Sequence, residues 1–207
     1  MLELGTIVLA DERVRLRPLL VSDAAALALA GGASREHYRY NPVPDGLADA
    51  EAWIAHALAA RDAGARYPFV IEWQGRVVGS TSYYDYQPWQ WYRGSPLQRS
   101  DRPDAVEIGY TWLAASAQRT DCNTRAKLLL MTHAFEIWQV HRVSLRADAR
   151  NERSRRAMER LGARLDGVLR AHTWALDGGV RDSAFYSILA AEWPAVKAGL
   201  EARLTVR

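Results

Sequence analysis

Apolar residues change their spacing along the chain, and each change marks a predicted element. Val14-Arg-Leu-Arg-Pro18 alternates, which predicts a strand ended by a proline that cannot donate to a ladder. Ser22 then caps a predicted alanine-rich helix, Asp23 to Ala30, which stops at Gly31-Gly32. A second helix is predicted from Ala48 to Ala63, with Trp53, Ala57 and Ala60 on one face. Tyr67–Trp73 and Arg76–Tyr84 flank Gln74-Gly75, the signature of a hairpin. In Ala105–Leu113 the alternation places Val106, Ile108, Tyr110 and Trp112 on one face and Glu107, Gly109 and Thr111 on the other. After a loop from Ala114 to Asn123, a helix is predicted over Thr124–Trp138, its stripe of Leu128, Met131, Phe135 and Trp138 facing the sheet.

Arg142–Ala147 reads as a strand and Glu152–Leu161 as a short helix ended by Gly162. Arg164–Leu176 and Val180–Leu189 form a hairpin across Asp177-Gly178-Gly179, and a helix from Glu192 to Leu204 follows. This order predicts a mixed α/β fold with helices on both faces of a mostly antiparallel sheet. Glu107–Leu113 and Arg142–Ala147 should be its parallel pair, joined by a right-handed crossover. A single domain over residues 1–207 is expected, interrupted at about 85–104 by an aromatic-rich irregular insertion. Tyr84, Tyr86, Trp89, Trp91 and Tyr92 there suit a lid over a substrate, a dimer contact or packing on the chain's own sheet.

Composition narrows the class. Hydrophobic residues make up 49% of the 207, enough for a packed core, yet no apolar run reaches the roughly 18 residues of a membrane span. Met1-Leu-Glu-Leu-Gly5 lacks a signal-peptide pattern, and the lone Cys122 excludes an internal disulfide. A soluble, cytoplasmic protein is expected. The net charge of +3 is too mild, and the arginines too dispersed, for nucleic-acid binding. His37, His56, His133, His141 and His172 show no metal-ligand spacing.

The candidate chemistry sits where strands feed helix starts. Free N–H groups and the helix dipole make the loop before Thr124 a candidate anion site, with Arg119 and Arg125 as flanking cations. Cys122 there is either a reactive thiol or, as we favour, a buried filler. Asn151 and Ser154 have N-cap spacing at the next helix start. Glu107, opposite Val106 and Ile108, is either a base for an alkylammonium or a salt-bridging glutamate.

Glu107-Ile-Gly-Tyr, Asn123-Thr-Arg-Ala-Lys-Leu-Leu-Leu, His133-Ala-Phe-Glu and Asn151-Glu-Arg-Ser-Arg-Arg-Ala-Met-Glu-Arg-Leu-Gly162, with Asp177-Gly-Gly-Val-Arg-Asp182, Tyr186-Ser-Ile and Glu192-Trp-Pro194, resemble the GNAT superfamily of acyl-coenzyme A N-acyltransferases, in its RimJ/RimL-like branch. The resemblance implies a GNAT-like fold whose parallel pair splays. Acetyl-coenzyme A is then the acyl donor, and a primary amine, either a protein N-terminus or a small molecule, the acceptor. It places the donor's pyrophosphate on Gln118, Arg119, Thr120, Asp121, Cys122, Asn123 and Thr124, its pantetheine by Asn151, and its thioester carbonyl near the Leu113 N–H. The family's two loop glycines are replaced by Asp121 and Asn123, which tolerate left-handed backbone. Glu107 is the implied base, and Ser154 either the acid that protonates the thiolate or a hydrogen-bond partner of the donor. Tyr84, Trp89, Trp91 and His172 are the acceptor-side candidates, no metal is required, and a homodimer is plausible.

Overall fold

The computed structural model describes residues 5–32 and 35–205, and every description below is of these. Met1–Leu4 and the last two residues, where the signal-peptide and 1–207 boundary expectations fall, lie outside them, as does the side chain of His37. One eight-stranded sheet runs in the order β1-β2-β3-β4-β5-β6-β8-β7. Its strands are β1 (Leu9–Ala10), β2 (Val14–Pro18), β3 (Arg66–Trp73), β4 (Arg76–Gln87), β5 (Ala105–Leu113), β6 (Arg142–Asp148), β7 (Arg164–Trp174) and β8 (Val180–Leu189). The helices are α1 (Ala24–Gly32), α2 (Leu47–Asp62), α3 (Cys122–Thr132), α4 (Glu152–Arg160) and α5 (Trp193–Thr205). β5 and β6 are parallel, and the other neighbouring strands are antiparallel. The mixed α/β architecture is as expected from the order of the patterns.

Side-chain alternation on β4 separates the two layers. Tyr83 points to α3, its hydroxyl donating to the Leu130 carbonyl at 2.5 Å. Tyr84 points the other way, sharing its face with Arg66, whose guanidinium lies over the ring of Trp53 on α2. Between sheet and α3 the core holds Phe69, Tyr83, Ile108, Leu130 and Met131. Burying each contributes about 1.5–3 kcal/mol.

Four local expectations change. Ser22 is not a cap: Val21–Asp23 form a 3₁₀ turn, in which the Asp23 carboxylate accepts the Leu20 N–H at 2.8 Å and is gripped by Arg17 at 2.7 and 2.9 Å. A charged acceptor held by a guanidinium outcompetes a serine hydroxyl. The long helix predicted to Trp138 turns π-helical over His133–Ile137. Of the predicted stripe, Met131, Phe135 and Trp138 are buried and Leu128 only partly; Ala126, Lys127, Leu130 and Ala134 complete the buried face. Finally β4 runs through Gln87, so the irregular insertion starts later than expected, and β1 was not foreseen because it is so short.

Candidate active site

A break in the sheet creates the site. β5 and β6 pair only at Ala105–Arg142, Val106–Val143 and Glu107–Ser144, and then part. The cause is a bulge: between Ser82–Gly109 and Ser80–Trp112, β5 carries one residue more than β4, and Tyr110 takes a left-handed φ of 50°. The bulge overturns the expected alternation. Thr111 joins the α3 face, its hydroxyl 2.8 Å from that of Thr81, while Tyr110 packs on Tyr84 and Trp112 on Trp53. The parted strands open a cavity of about 1420 Å³, lined by residues of α2, α3, α4 and α5, by residues 38–42 and by the β7–β8 hairpin.

The loop before α3 faces this cavity with unspent donors. Among the described residues no acceptor lies within hydrogen-bond reach of the N–H groups of Arg119, Thr120, Asn123 and Thr124. Four such amides in and just before a helix start, beside Arg119, are donor chemistry of the kind that favours an anion. The glycine substitutions are harmless for a reason other than the one expected. Asp121 is right-handed at φ −79° and Asn123 is already helical; the left-handed residue is Arg119, at φ 62°. Nor does Asp121 bring free negative charge. Burial raises its pKa, but hydrogen bonds from Arg125 at 2.7 Å and Arg13 at 3.2 Å win and hold it below the usual range. Arg125 is consumed there, with Asp11 at 3.0 Å and Glu12 at 3.1 Å, so it does not serve as a phosphate screen. Gln118 and Thr120 shape the turn, donating to the carbonyls of Leu113 and Ala117, both at 2.8 Å. Cys122 does not line the cavity; it is fully buried, and burial pushes its thiol up to about 12, which makes it a filler rather than a nucleophile.

At the next helix start Asn151 caps α4, its Oδ1 accepting the Ser154 N–H at 3.1 Å. Both residues line the cavity, as does Leu113 at the end of β5. Arg146, Arg153, Arg156, Arg160, Arg181 and Arg203 also line it, and the lining carboxylates, Asp121 and Asp148, are both paired, Asp148 with Arg150 at 2.8 Å.

Glu107 lies one layer back. It is 1% exposed and does not line the cavity; Tyr84 and Arg146, which do line it, both reach its carboxylate, the Tyr84 hydroxyl donating to it. Arg146 Nε stands 3.1 Å from the same carboxylate. Burial raises the Glu107 pKa, and Arg146 and Tyr84 recover only part of that shift.

The acceptor-side candidates divide. Tyr84 and His172 line the cavity, His172 with Nδ1 3.0 Å from the Ser183 hydroxyl. Trp89 and Trp91 do not. They sit at the opposite end of the parallel pair, Trp89 stacked on His141 at 5.3 Å and Trp91 donating to Asp104 at 3.0 Å. Their insertion is anchored to the buried Asp104, whose carboxylate also accepts the Trp89 N–H at 2.7 Å. Tyr38, Tyr40, Trp53, Tyr110 and Trp174 supply the aromatic wall instead. Sequence patterning also missed Lys127, 4% exposed, with Nζ 2.7 Å from the Thr111 hydroxyl and 3.3 Å from that of Thr81. Its spacing of three and seven from Leu130 and Ala134 was the available signal. Burial lowers its amine to about 7. Among the described residues no cluster of His, Cys, Asp and Glu could hold a metal, and no helix is long and apolar enough to cross a membrane.

Known proteins resemble this chain in sequence and fold. The family described as acetyltransferase (GNAT) domain matches residues 13–164. The Bacillus subtilis (strain 168) protein "Putative ribosomal N-acetyltransferase YdaF" is 36% identical over 92 residues, 44% of this chain and 49% of that protein. The chain thus spans about half the length of that curated relative. A crystal structure of a "putative acetyltransferase" from T. thermophilus superposes with a TM-score of 0.77 at 34% identity, covering 95% of this chain and 96% of that one. Mycobacterium smegmatis RimJ, solved in complex with CoA-disulfide, gives a TM-score of 0.74 at 25% identity, covering 96% and 93%.

Proposed function

The chain belongs to the GNAT acetyltransferase domain family, and from that premise we propose that it transfers an acetyl group from acetyl-coenzyme A to a primary amine. The observation that carries this is the set of amide N–H groups at Arg119, Thr120, Asn123 and Thr124 without an acceptor among the described residues, on residues that line a cavity also lined by several arginines. That donor set suits a diphosphate, and Arg153, Arg156, Arg160 and Arg203 suit the further phosphate of coenzyme A. When bound, acetyl-coenzyme A supplies an acetyl group activated as a thioester.

The chain's own residues supply the rest. Asn151 and the end of β5 at Leu113 flank the gap between the parted strands and orient what enters it. The acceptor arrives from the aromatic side as an ammonium and must lose a proton before it attacks. Tyr84 accepts that proton on its hydroxyl oxygen while passing its own to Glu107, so the carboxylate acts as base through the phenol. The raised pKa of Glu107 makes it a better proton acceptor than a solvated glutamate. Attack bonds the nitrogen to the acetyl carbon; as the carbon–sulfur bond breaks, the nitrogen's surplus proton passes to the departing thiolate by way of Ser154, a cavity-lining residue, which gives one proton and takes one up. The likeness to YdaF, named as a putative ribosomal N-acetyltransferase, supports a protein N-terminus as acceptor.

Purified protein incubated with acetyl-coenzyme A and a panel of N-terminal peptides and small amines should release thiol and acetylated product. Coenzyme A should raise the melting temperature. Melting stabilisation without thiol release from any amine would leave a binding module in place of an enzyme.

A further inference from the structure

Arg181 on β8 lines the cavity as a cation with no counter-ion of its own. Among the described residues its guanidinium makes no hydrogen bond and no ion pair. Its Nε is closed off from solvent, while the two terminal nitrogens, equally without partners, are not. Asp148 lines the same cavity and feels the charge of Arg181, but it is already taken. Arg150 grips that carboxylate with Nη2 at 2.8 Å and Nε at 3.0 Å, and the Arg150 backbone N–H adds a bond at 2.9 Å. Arg181 is left unbalanced.

The sheet fixes the face on which this charge stands. β6 and β8 keep an unbroken register from Arg142–Leu189 to Asp148–Ser183, which puts Ser183 and Phe185 on the face of Asp148 and Arg146. Beyond Ser183 the irregularity falls on β7, whose Leu169 and Thr173 oppose Ser183 and Arg181, so β8 carries its alternation on to Arg181. This is the face of the proton relay. Arg146 lies 5.3 Å from the ring centre of Tyr84 and 5.7 Å from that of Phe185, and His172 meets Phe185 edge-on at 5.2 Å. The opposite face belongs to α4, where the Tyr186 hydroxyl bonds Arg155 and Glu159. Arg181 lies four residues along β8 from Phe185, roughly 13 Å at the rise of a strand.

We infer that the acceptor is a peptide with an acidic side chain at about its third to fifth residue, and that Arg181 binds that carboxylate on the cavity wall. The inference rests on the transfer reading above and adds the charge and the place of one acceptor group. With the amine at Tyr84, an extended peptide spans the distance in about that many residues, given the reach of both side chains. A free amino acid, whose carboxylate adjoins its amine, is too short to meet both ends.

The test is a set of amidated hexapeptides, Ser followed by five Ala, with one Asp or one Asn placed at each position from the second to the sixth. In the presence of acetyl-coenzyme A, an Asp peptide substituted within positions three to five should show a kcat/KM roughly tenfold above its Asn partner. Arg181→Met should bring that peptide down to the level of its partner, and Arg181→Lys should keep part of the difference. Equal turnover of Asp and Asn peptides throughout would overturn the inference. So would a preference confined to the second or sixth position, or one undiminished in a folded Arg181→Met. An Arg181→Met whose one change is a higher KM for acetyl-coenzyme A would assign the guanidinium to the donor and also overturn it. Should that variant not fold, the wild-type series decides alone. Should no peptide release thiol, the transfer reading fails, and calorimetric titration of the same peptides into the coenzyme A complex decides: tighter Asp binding at those positions supports the Arg181 site, and equal binding removes it.

Discussion

Tyr84 occupies the space that a side chain at position 109 would fill: a Cβ on Gly109 would lie 2.6 Å from Cε1 of Tyr84 and 2.9 Å from its hydroxyl oxygen. The backbone at Gly109 is not left-handed, so the glycine is there for room. That room lets the phenol reach Glu107.

Gly109→Ala should therefore move Tyr84 off Glu107 and lower kcat roughly 10- to 100-fold, since small misplacements of a proton-transfer group are expensive. The KM for acetyl-coenzyme A should change little. Steady-state thiol release reads both constants; an unchanged kcat would separate the tyrosine from the chemistry.

Glu107→Gln should lower kcat about 100-fold or more while the protein still binds coenzyme A. In the wild type, activity needs the ionised carboxylate, so kcat/KM should fall as pH drops through a pKa above the ordinary 4.5 of glutamate. Arg146 lowers that pKa. Arg146→Ala should hence shift the acid limb to still higher pH, and a shift the other way would contradict the pairing.

Lys127 ties stability to pH. Its amine titrates near 7 when folded and near 10.5 when free, so between those values the unfolded chain holds a proton that the folded chain lacks. Stability from this group is fully present above pH 10.5 and is lost as pH falls toward 7, by up to ~3–5 kcal/mol. Lys127→Met should be more stable at pH 7 and show a flatter dependence than the wild type. Urea unfolding at pH 7 and pH 10 for both proteins gives the answer; parallel dependences would show that the amine is charged in the fold.

Asp121→Ala should cost only about 0.5–1 kcal/mol, because Arg125 keeps Asp11 and Glu12 and Arg13 is partly exposed to solvent. Coenzyme A affinity should hold or improve, because the carboxylate faces those arginines rather than the loop amides. A calorimetric titration beside a thermal melt separates the two effects. A large loss of affinity in a stable variant would make Asp121 part of the coenzyme A site.

Much of this was legible from local pattern. The strands, the Gln74-Gly75 hairpin and the two helix starts all follow from period and punctuation, and the loop facing the cavity is the one the helix-start argument selected. The bulge was not legible, because Tyr110 takes a left-handed conformation with no glycine to announce it. Everything after it on β5 then changed face, moving Trp112 and Thr111 together. Trp89 and Trp91 misled because aromatic content in an irregular segment fits several roles; only the buried Asp104 shows that they are held at the far end of the strands. The capping role of Asp23 depended on Arg17, a partner that spacing rules for a single helix do not include.

The early parting of β5 and β6 leaves the sheet with missing rungs. Beyond Glu107 and Ser144 the two strands no longer bond to each other across the gap, so the rows β1–β5 and β6–β8 are joined at that seam by only the Ala105–Arg142, Val106–Val143 and Glu107–Ser144 pairs. Under the proposed activity, the pantetheine arm, with amides of its own, would take that seam as a surrogate strand. The donor is then also a splice, and the two halves of the sheet should exchange their amide hydrogens more slowly with it in place.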